Sequence, residues 1–383
     1  MEKKPSLSKR LFYYLLVCLL CFFIAEAILS ITFHYKYGNN KLAITDFFIS
    51  AKSRLVNPKL SRQEAEVQLR YQQLIRKGES DEQSKLLVQE MAAANAFEFD
   101  PWLQFRNIDV ASKYVNTNGF IRKSIPSFVA KGTDTFRIWF FGGSTMWGFN
   151  VADDETIPSK FAQRYRTADR YKKSLEVVNY GARAYISFQE MKLLQDRLLY
   201  QQTPHLVVFL DGLNEVVSFP TPLHREPLYT GFMREYFKGN FPLARGKNIN
   251  DSITKFYTRD HHLPATEVAN ILLSNYMLTT DAVTQTAKAY GFTPLFVWQP
   301  VPYYNYPNQL KDPICDKDSF PVYKLLSPAI EAKFKKMNNS LYLANILDGT
   351  VRLPFIDRVH YSPEMNEVIA DRILQKIDSL LIN

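Results

Sequence analysis

A serine hydroxyl attacks a carbonyl carbon only when a base takes its proton, and a histidine steadied by a carboxylate can do this near neutral pH. One serine of this chain stands where such chemistry could be done. Ser144 lies in residues 136–148, FRIWFFGGSTMWG, where Phe136, Ile138, Trp139, Phe140 and Phe141 make a short β-branched and aromatic run, the pattern of a strand covered on both faces. Gly142 and Gly143 let the backbone turn sharply. Ser144 then falls at the carboxyl end of the strand, where open α/β sheets place their ligands. Three more stretches occupy comparable places: Gly181 in VVNYGARA, Gly212-Leu213-Asn214 in FLDGLNE, and Asp357-Arg358-Val359-His360 just before a terminal helix. His360 is the candidate base. Asp357, three residues earlier, can accept a hydrogen bond from the other imidazole nitrogen and fix its tautomer. Taken singly, each has a plain structural reading: Gly181 as a turn glycine, Asn214 as a turn asparagine, Asp-x-x-His as a helix cap beside a surface histidine.

The elements that must position these residues alternate between strand and helix. Residues 175–180 (LEVVNY), 205–210 (HLVVFL) and 293–299 (TPLFVWQ) read as further strands. Residues 187–202 and 266–290 read as helices, and Ser362-Pro363 opens a last helix with a serine N-cap and a proline in the first turn. Strands separated by helices imply parallel βαβ units. The rhythm is lost between Asn214 and Leu263, where Pro220, Pro222, Pro227 and Pro242 point to an insertion or lid spanning residues 215–264.

The N-terminal third carries no visible chemistry. Residues 1–10 hold Lys3, Lys4, Lys9 and Arg10 against one acid, and residues 11–33 are apolar almost throughout, long enough to cross a bilayer as a helix. The run continues past Ala27, and Glu26 occupies the middle of the would-be cleavage site, so an uncleaved anchor is expected rather than a signal peptide. The positive-inside rule leaves residues 1–10 cytoplasmic and the bulk of the chain periplasmic or extracellular. Glu26 is expected to face water near the interface. Residues 34–131 should form a helical stalk and a lead-in hairpin: two amphipathic helices within 52–97, broken at Lys77-Gly78-Glu79-Ser80 and either standing as a membrane-proximal stalk or packing against the main domain, then a turn at Asn116-Thr117-Asn118-Gly119.

Composition narrows the function classes. The chain has 383 residues, 46% hydrophobic and 14% aromatic, ample for a large core. The net charge of +9 comes without a basic stripe interleaved with aromatics, so nucleic acid is not an expected partner. Three cysteines, two of them in the apolar N-terminal run, exclude a disulfide framework and a four-cysteine zinc site. His261-His262 is the only histidine pair, and adjacent side chains do not readily face one metal. No metal and no cofactor is expected.

In their order and placement, the four stretches resemble the blocks of the SGNH hydrolase superfamily, the GDSL-type esterases and lipases. The resemblance covers residues 132–383 and implies a three-layer α/β/α, flavodoxin-like domain with a parallel sheet. It implies a Ser144–His360–Asp357 triad, and an oxyanion hole built from the backbone N–H groups of Ser144 and Gly181 with the Asn214 side chain. The implied activity is hydrolysis of an ester-linked acyl group on a small molecule, lipid or glycan. Two alternatives stay open: an O-acyltransferase modifying an envelope glycan with the same triad, and a non-catalytic binding module. The chain departs from the family pattern in two places, with Gly-Gly-Ser-Thr for Gly-Asp-Ser and Asn214-Glu215 for Asn-Asp, which makes transfer of a substrate by analogy unsafe.

Overall fold

The computed structural model describes residues 7–37, 69, 80–100, 102–168, 171–217, 263–306, 320–347 and 353–381. The chain divides into two units, residues 1–56 with 231–259, and residues 57–230 with 260–383.

In the first unit the described part is one helix, α1 (Leu7–Tyr37). Phe12, Leu15, Leu19 and Phe23 are among its exposed side chains. Among the described residues, no helix is long and apolar enough to cross a membrane. Glu26 is buried, at 3% accessibility, which corrects the expectation of a water-facing carboxylate.

The second unit is an α/β domain. It opens with α2 (Asp81–Ala94), started by a Ser80/Gln83 capping box at the predicted break. Two small antiparallel pairs follow, β1 (Phe97–Asp100) with β2 (Gln104–Asn107) and β3 (Asp109–Val110) with β4 (Thr117–Asn118). The hairpin turn expected near Asn118-Gly119 closes between Thr117 and Arg122, with Gly119 at a φ of 78°. Of the two arrangements open to the second predicted helix, it packs against the main domain: Leu87, Met91 and Ala94 of α2 meet Val115, Trp147 and Ala152. The first predicted stalk helix and nearly all of the 215–264 insertion lie outside the described residues.

The central sheet has six strands: β5 (Phe128–Val129), β6 (Thr135–Gly142), β7 (Ser174–Asn179), β8 (Leu206–Asp211), β9 (Thr293–Trp298) and β10 (Ser340–Tyr342). Their spatial order is β10-β9-β8-β6-β7-β5. All neighbours are parallel except the edge pair β5–β7. Leaving out β5, the order is the 2-1-3-4-5 of a flavodoxin-like sheet, and it reverses between β6 and β8, which opens a crevice at the carboxyl ends of those strands.

Residues alternating along β6 serve opposite layers. Ile138 and Phe140 join one core with α4 (Ile157–Thr167) and α9 (Pro363–Leu381), through Phe161, Ile369 and Ile373. Phe141 points the other way, stacked between Tyr180 and Phe209. That second face is covered by α5 (Ser187–Tyr200), α7 (Ala265–Tyr290) and α8 (Pro321–Phe334); Tyr276 of α7 meets Trp298 edge-on, and Trp298 Nε1 donates to Ser327 Oγ of α8. A strand buried on both faces cannot alternate polar and apolar residues, which is why residues 138–141 of β6 and 206–210 of β8 read as unbroken apolar runs.

Candidate active site

Ser144 is the first residue of a single helical turn, α3 (Ser144–Trp147), entered directly from the end of β6 with Gly143 as N-cap. First-turn N–H groups have no partner inside the helix, so the Ser144 N–H is not taken up within its own turn. A Cβ on Gly143 would run into the Asn214 amide. The departure from the family's Gly-Asp-Ser is thus local: the volume that a side chain at 143 would take is filled by Asn214.

His360 and Asp357 arrive on one short loop closed by a bridge between Phe355 and Tyr361, just ahead of α9, which Ser362 caps through its hydroxyl to the Met365 N–H. His360 Nε2 lies 2.8 Å from Ser144 Oγ, and Nδ1 lies 2.7 Å from Asp357 Oδ2. The carboxylate is held from several sides. Its Oδ1 accepts the N–H groups of Val359 and His360, at 2.9 and 2.8 Å, and its Oδ2 accepts Asn150 Nδ2 at 2.7 Å. Burial opposes ionisation of Asp357, but the neighbouring His360 and these hydrogen bonds outweigh it and hold the carboxyl below its ordinary range. Phe149 lies against the His360 ring, centroids 4.6 Å apart. Tyr303 donates to the Arg358 carbonyl at 2.6 Å and ties the loop to the end of β9.

Asn214 lies on α6 (Leu213–Val217), which follows β8 across the switch point from Ser144. One of its amide hydrogens is donated to the Tyr185 carbonyl at 2.8 Å; the other remains for a ligand. Gly181 does not fit the role expected of it. Its N–H donates to Asn179 Oδ1 at 2.9 Å, and its missing Cβ makes room for the Trp147 N–H, 2.5 Å from where that atom would be. Gly181 therefore serves close packing of two backbones. Three residues on, Ala184 takes a left-handed φ of 64°, next to the carbonyl that receives Asn214. A non-glycine residue held there is strained, and it turns the backbone of the 182–186 loop under the Asn214 amide.

No family model matches this chain, and no curated protein matches it. Solved structures do. The chain is similar in structure to hydrolases of the G-D-S-L kind. One, from Desulfitobacterium hafniense and assigned to the lipolytic G-D-S-L family, is 12% identical over 63% of this chain and 98% of its own, with a TM-score of 0.37. A member of the lipolytic G-D-S-L family from Veillonella parvula is 11% identical over 63% and 97%, with a TM-score of 0.35. An acetylxylan esterase from Geobacillus stearothermophilus is 16% identical over 64% and 95%, with a TM-score of 0.32. What the site can do is argued from its own geometry.

Behind the Ser144 turn, the Trp147 ring has two guanidinium groups close to it, Arg122 at 4.5 Å and Arg183 at 5.2 Å from the ring centroid. Arg122 is fully buried and paired with Asp153 at 2.8 Å. Arg183 donates to the Ala96 carbonyl and to the side chains of Asn107 and Asn95. Burial lowers the Arg122 guanidinium to about 10 and that of Arg183 to about 9, with the charge of Arg122 adding to the second. Among the described residues, no group of three or more His, Cys, Asp or Glu could hold a metal ion. Asn150, Ala184 and the two arginines escaped the sequence reading; the one available signal was the Arg183-Ala184 pair following Gly181 in the second block.

Proposed function

We propose that this chain is a serine ester hydrolase of the SGNH type, anchored in a membrane by its apolar residues 11–33 and acting on an acylated small molecule, lipid or glycan outside the cytoplasm. One observation carries the reading: Ser144 Oγ, both ring nitrogens of His360 and the Asp357 carboxylate form one unbroken hydrogen-bonded line. His360 Nε2 takes the Ser144 proton as Oγ bonds to the ester carbonyl carbon, and Asp357 stabilises the imidazolium. The proton then passes to the leaving alkoxide as the ester bond breaks, giving an acyl-serine. Water, deprotonated by the same nitrogen, releases the acid and restores the serine. The negative charge on the carbonyl oxygen is met by the Ser144 N–H and the Asn214 amide, with the Ala184 N–H in place of that of Gly181. The anchor is supported by the apolar residues 11–33 and the basic flank Lys3, Lys4, Lys9 and Arg10.

The test is intact-mass analysis of the full-length chain in detergent after a fluorophosphonate probe. Stoichiometric labelling that disappears in Ser144→Ala and His360→Ala is expected. A wild type that is folded and unlabelled would refute the activated serine. Labelling with no turnover of any ester, by contrast, would favour transfer to a sugar hydroxyl over transfer to water.

A further inference from the structure

Three carboxyl groups from three elements meet behind Asn214. Glu190 of α5 is 0% accessible and Asp211, the last residue of β8, is 5% accessible. Glu215 of α6 is partly buried beside them. No donor meets either oxygen of Glu190, although an ionised carboxylate so placed should be surrounded by donors; the group within hydrogen-bonding reach of it is another acid, Asp211. Asp211 accepts Tyr276 Oη of α7 at 3.2 Å, and Glu215 Oε1 accepts the Ser187 N–H at the start of α5 at 2.6 Å. The other titratable groups facing the cluster are tyrosines, Tyr185 against Glu190 and Tyr276 against all three acids. Among the described residues, no lysine, arginine or histidine offsets the acids. Three negative charges cannot persist there together, so the cluster holds protons.

The cluster also holds the oxyanion side of the site. Two bonds clamp α6 to residues 185–187: Asn214 Nδ2 to the Tyr185 carbonyl and the Ser187 N–H to Glu215. Asp211 lies immediately before the Gly212 bend that sets the direction of α6. We propose that Glu190, Asp211 and Glu215 are positioning residues for the Asn214 amide, sharing protons so that α6 stays docked, and that their full ionisation releases α6 and withdraws the amide from the nucleophile. This rests on the reading of Asn214 as an oxyanion donor.

Burial raises all three acids, and the charges of neighbouring acids add to it for Glu190 and Glu215: Asp211 rises to about 7, Glu215 to about 8, and Glu190 well above the usual range. Groups whose folded pKa is raised contribute stability that is fully present below the unfolded pKa and is lost as pH rises through the folded values. Stability is therefore lost progressively from the ordinary carboxylate range upward, and the ionisation of Asp211 and Glu215 itself falls at about pH 7 to 8.

The test uses the full-length chain in detergent, comparing roughly pH 6.5 with roughly pH 9, on either side of that ionisation, by kcat and KM on 4-nitrophenyl acetate and by Tm. Wild-type kcat should fall ~10-fold or more at the higher pH with KM unchanged. The same ratio should stay within about threefold in Glu190→Gln, where one acid is removed, and in Asn214→Ala, where the donor is already gone. The wild-type Tm should drop between the two pH values, and drop less in Glu190→Gln. A flat wild-type kcat, or an undiminished fall in Asn214→Ala, would overturn the proposal. If the wild type neither turns over nor reacts with the fluorophosphonate, the hydrolase reading has failed instead. The Tm comparison then decides the cluster alone, and equal drops in wild type and Glu190→Gln would refute proton sharing. Should Glu190→Gln not fold, Glu215→Gln takes its place in both measurements.

Discussion

Replacing Asp357 with asparagine changes one oxygen to an NH2 group in a place where every neighbour is a donor. The carboxylate accepts from Val359 N–H, His360 N–H, His360 Nδ1 and Asn150 Nδ2. An amide has one acceptor oxygen, so its NH2 must face either the Asn150 amide with the ring, at the place of Oδ2, or the two backbone N–H groups, at the place of Oδ1. The arrangement that relieves most of this conflict has the NH2 donating to an unprotonated Nδ1, which leaves the proton on Nε2. In that tautomer Nε2 donates to Ser144 instead of accepting its proton. The expected loss in kcat is roughly 10⁴-fold, about 5.4 kcal/mol at 1.36 kcal/mol per tenfold, with KM almost unchanged. The assay is turnover of 4-nitrophenyl acetate by the full-length protein in detergent, with circular dichroism and Tm as controls for folding. Asp357→Ala should be milder than Asp357→Asn, because water can enter and some molecules keep the productive tautomer. A folded Asp357→Asn variant within about tenfold of wild type would refute the role given to the carboxylate.

Two other variants probe the surroundings. Arg122→Met leaves Asp153 buried without its 2.8 Å partner and removes one guanidinium from beside Trp147; a loss of about 3–5 kcal/mol in denaturant unfolding is expected, and a change under about 1 kcal/mol would show the pair to be dispensable. For the anchor, a C-terminal reporter active only in the cytoplasm should be silent when fused to the full chain, and recovery of a soluble form beginning near Ile28 would show cleavage instead.

The sheet was legible because its strands are buried on both faces. Residues 175–180, 205–210 and 293–299 match β7, β8 and β9 to within a residue, since continuous apolar runs between turn residues leave few other readings. Residues 266–290 and Ser362-Pro363 likewise mark α7 and the start of α9. β10, at three residues, is too short to show a period, and α8 was hidden by Pro328 within it. The meeting of Ser144, Asp357 and His360 could be inferred from residue type and order. The direction of a backbone N–H could not. Gly181 has the right residue type in the right block, yet its N–H is taken by Asn179, and only the left-handed φ of Ala184 shows where the loop turns. Asn150 donates to a residue 207 positions away, a relation that no local pattern contains.

The loop between Phe355 and Tyr361 carries both His360 and Asp357, bound to each other through backbone as well as side chains. The stretch that carries Ser144 and the loop that carries His360 and Asp357 therefore meet along one seam, where Ser144 Oγ faces His360 Nε2 and Asn150 donates to Asp357. A shift of that seam by about an ångström would part Ser144 Oγ from His360 Nε2 while leaving the His360–Asp357 pair undisturbed. A resting form produced that way would keep its histidine tautomer and lose only its reactivity toward phosphonates, so the two properties can be read out separately in one sample.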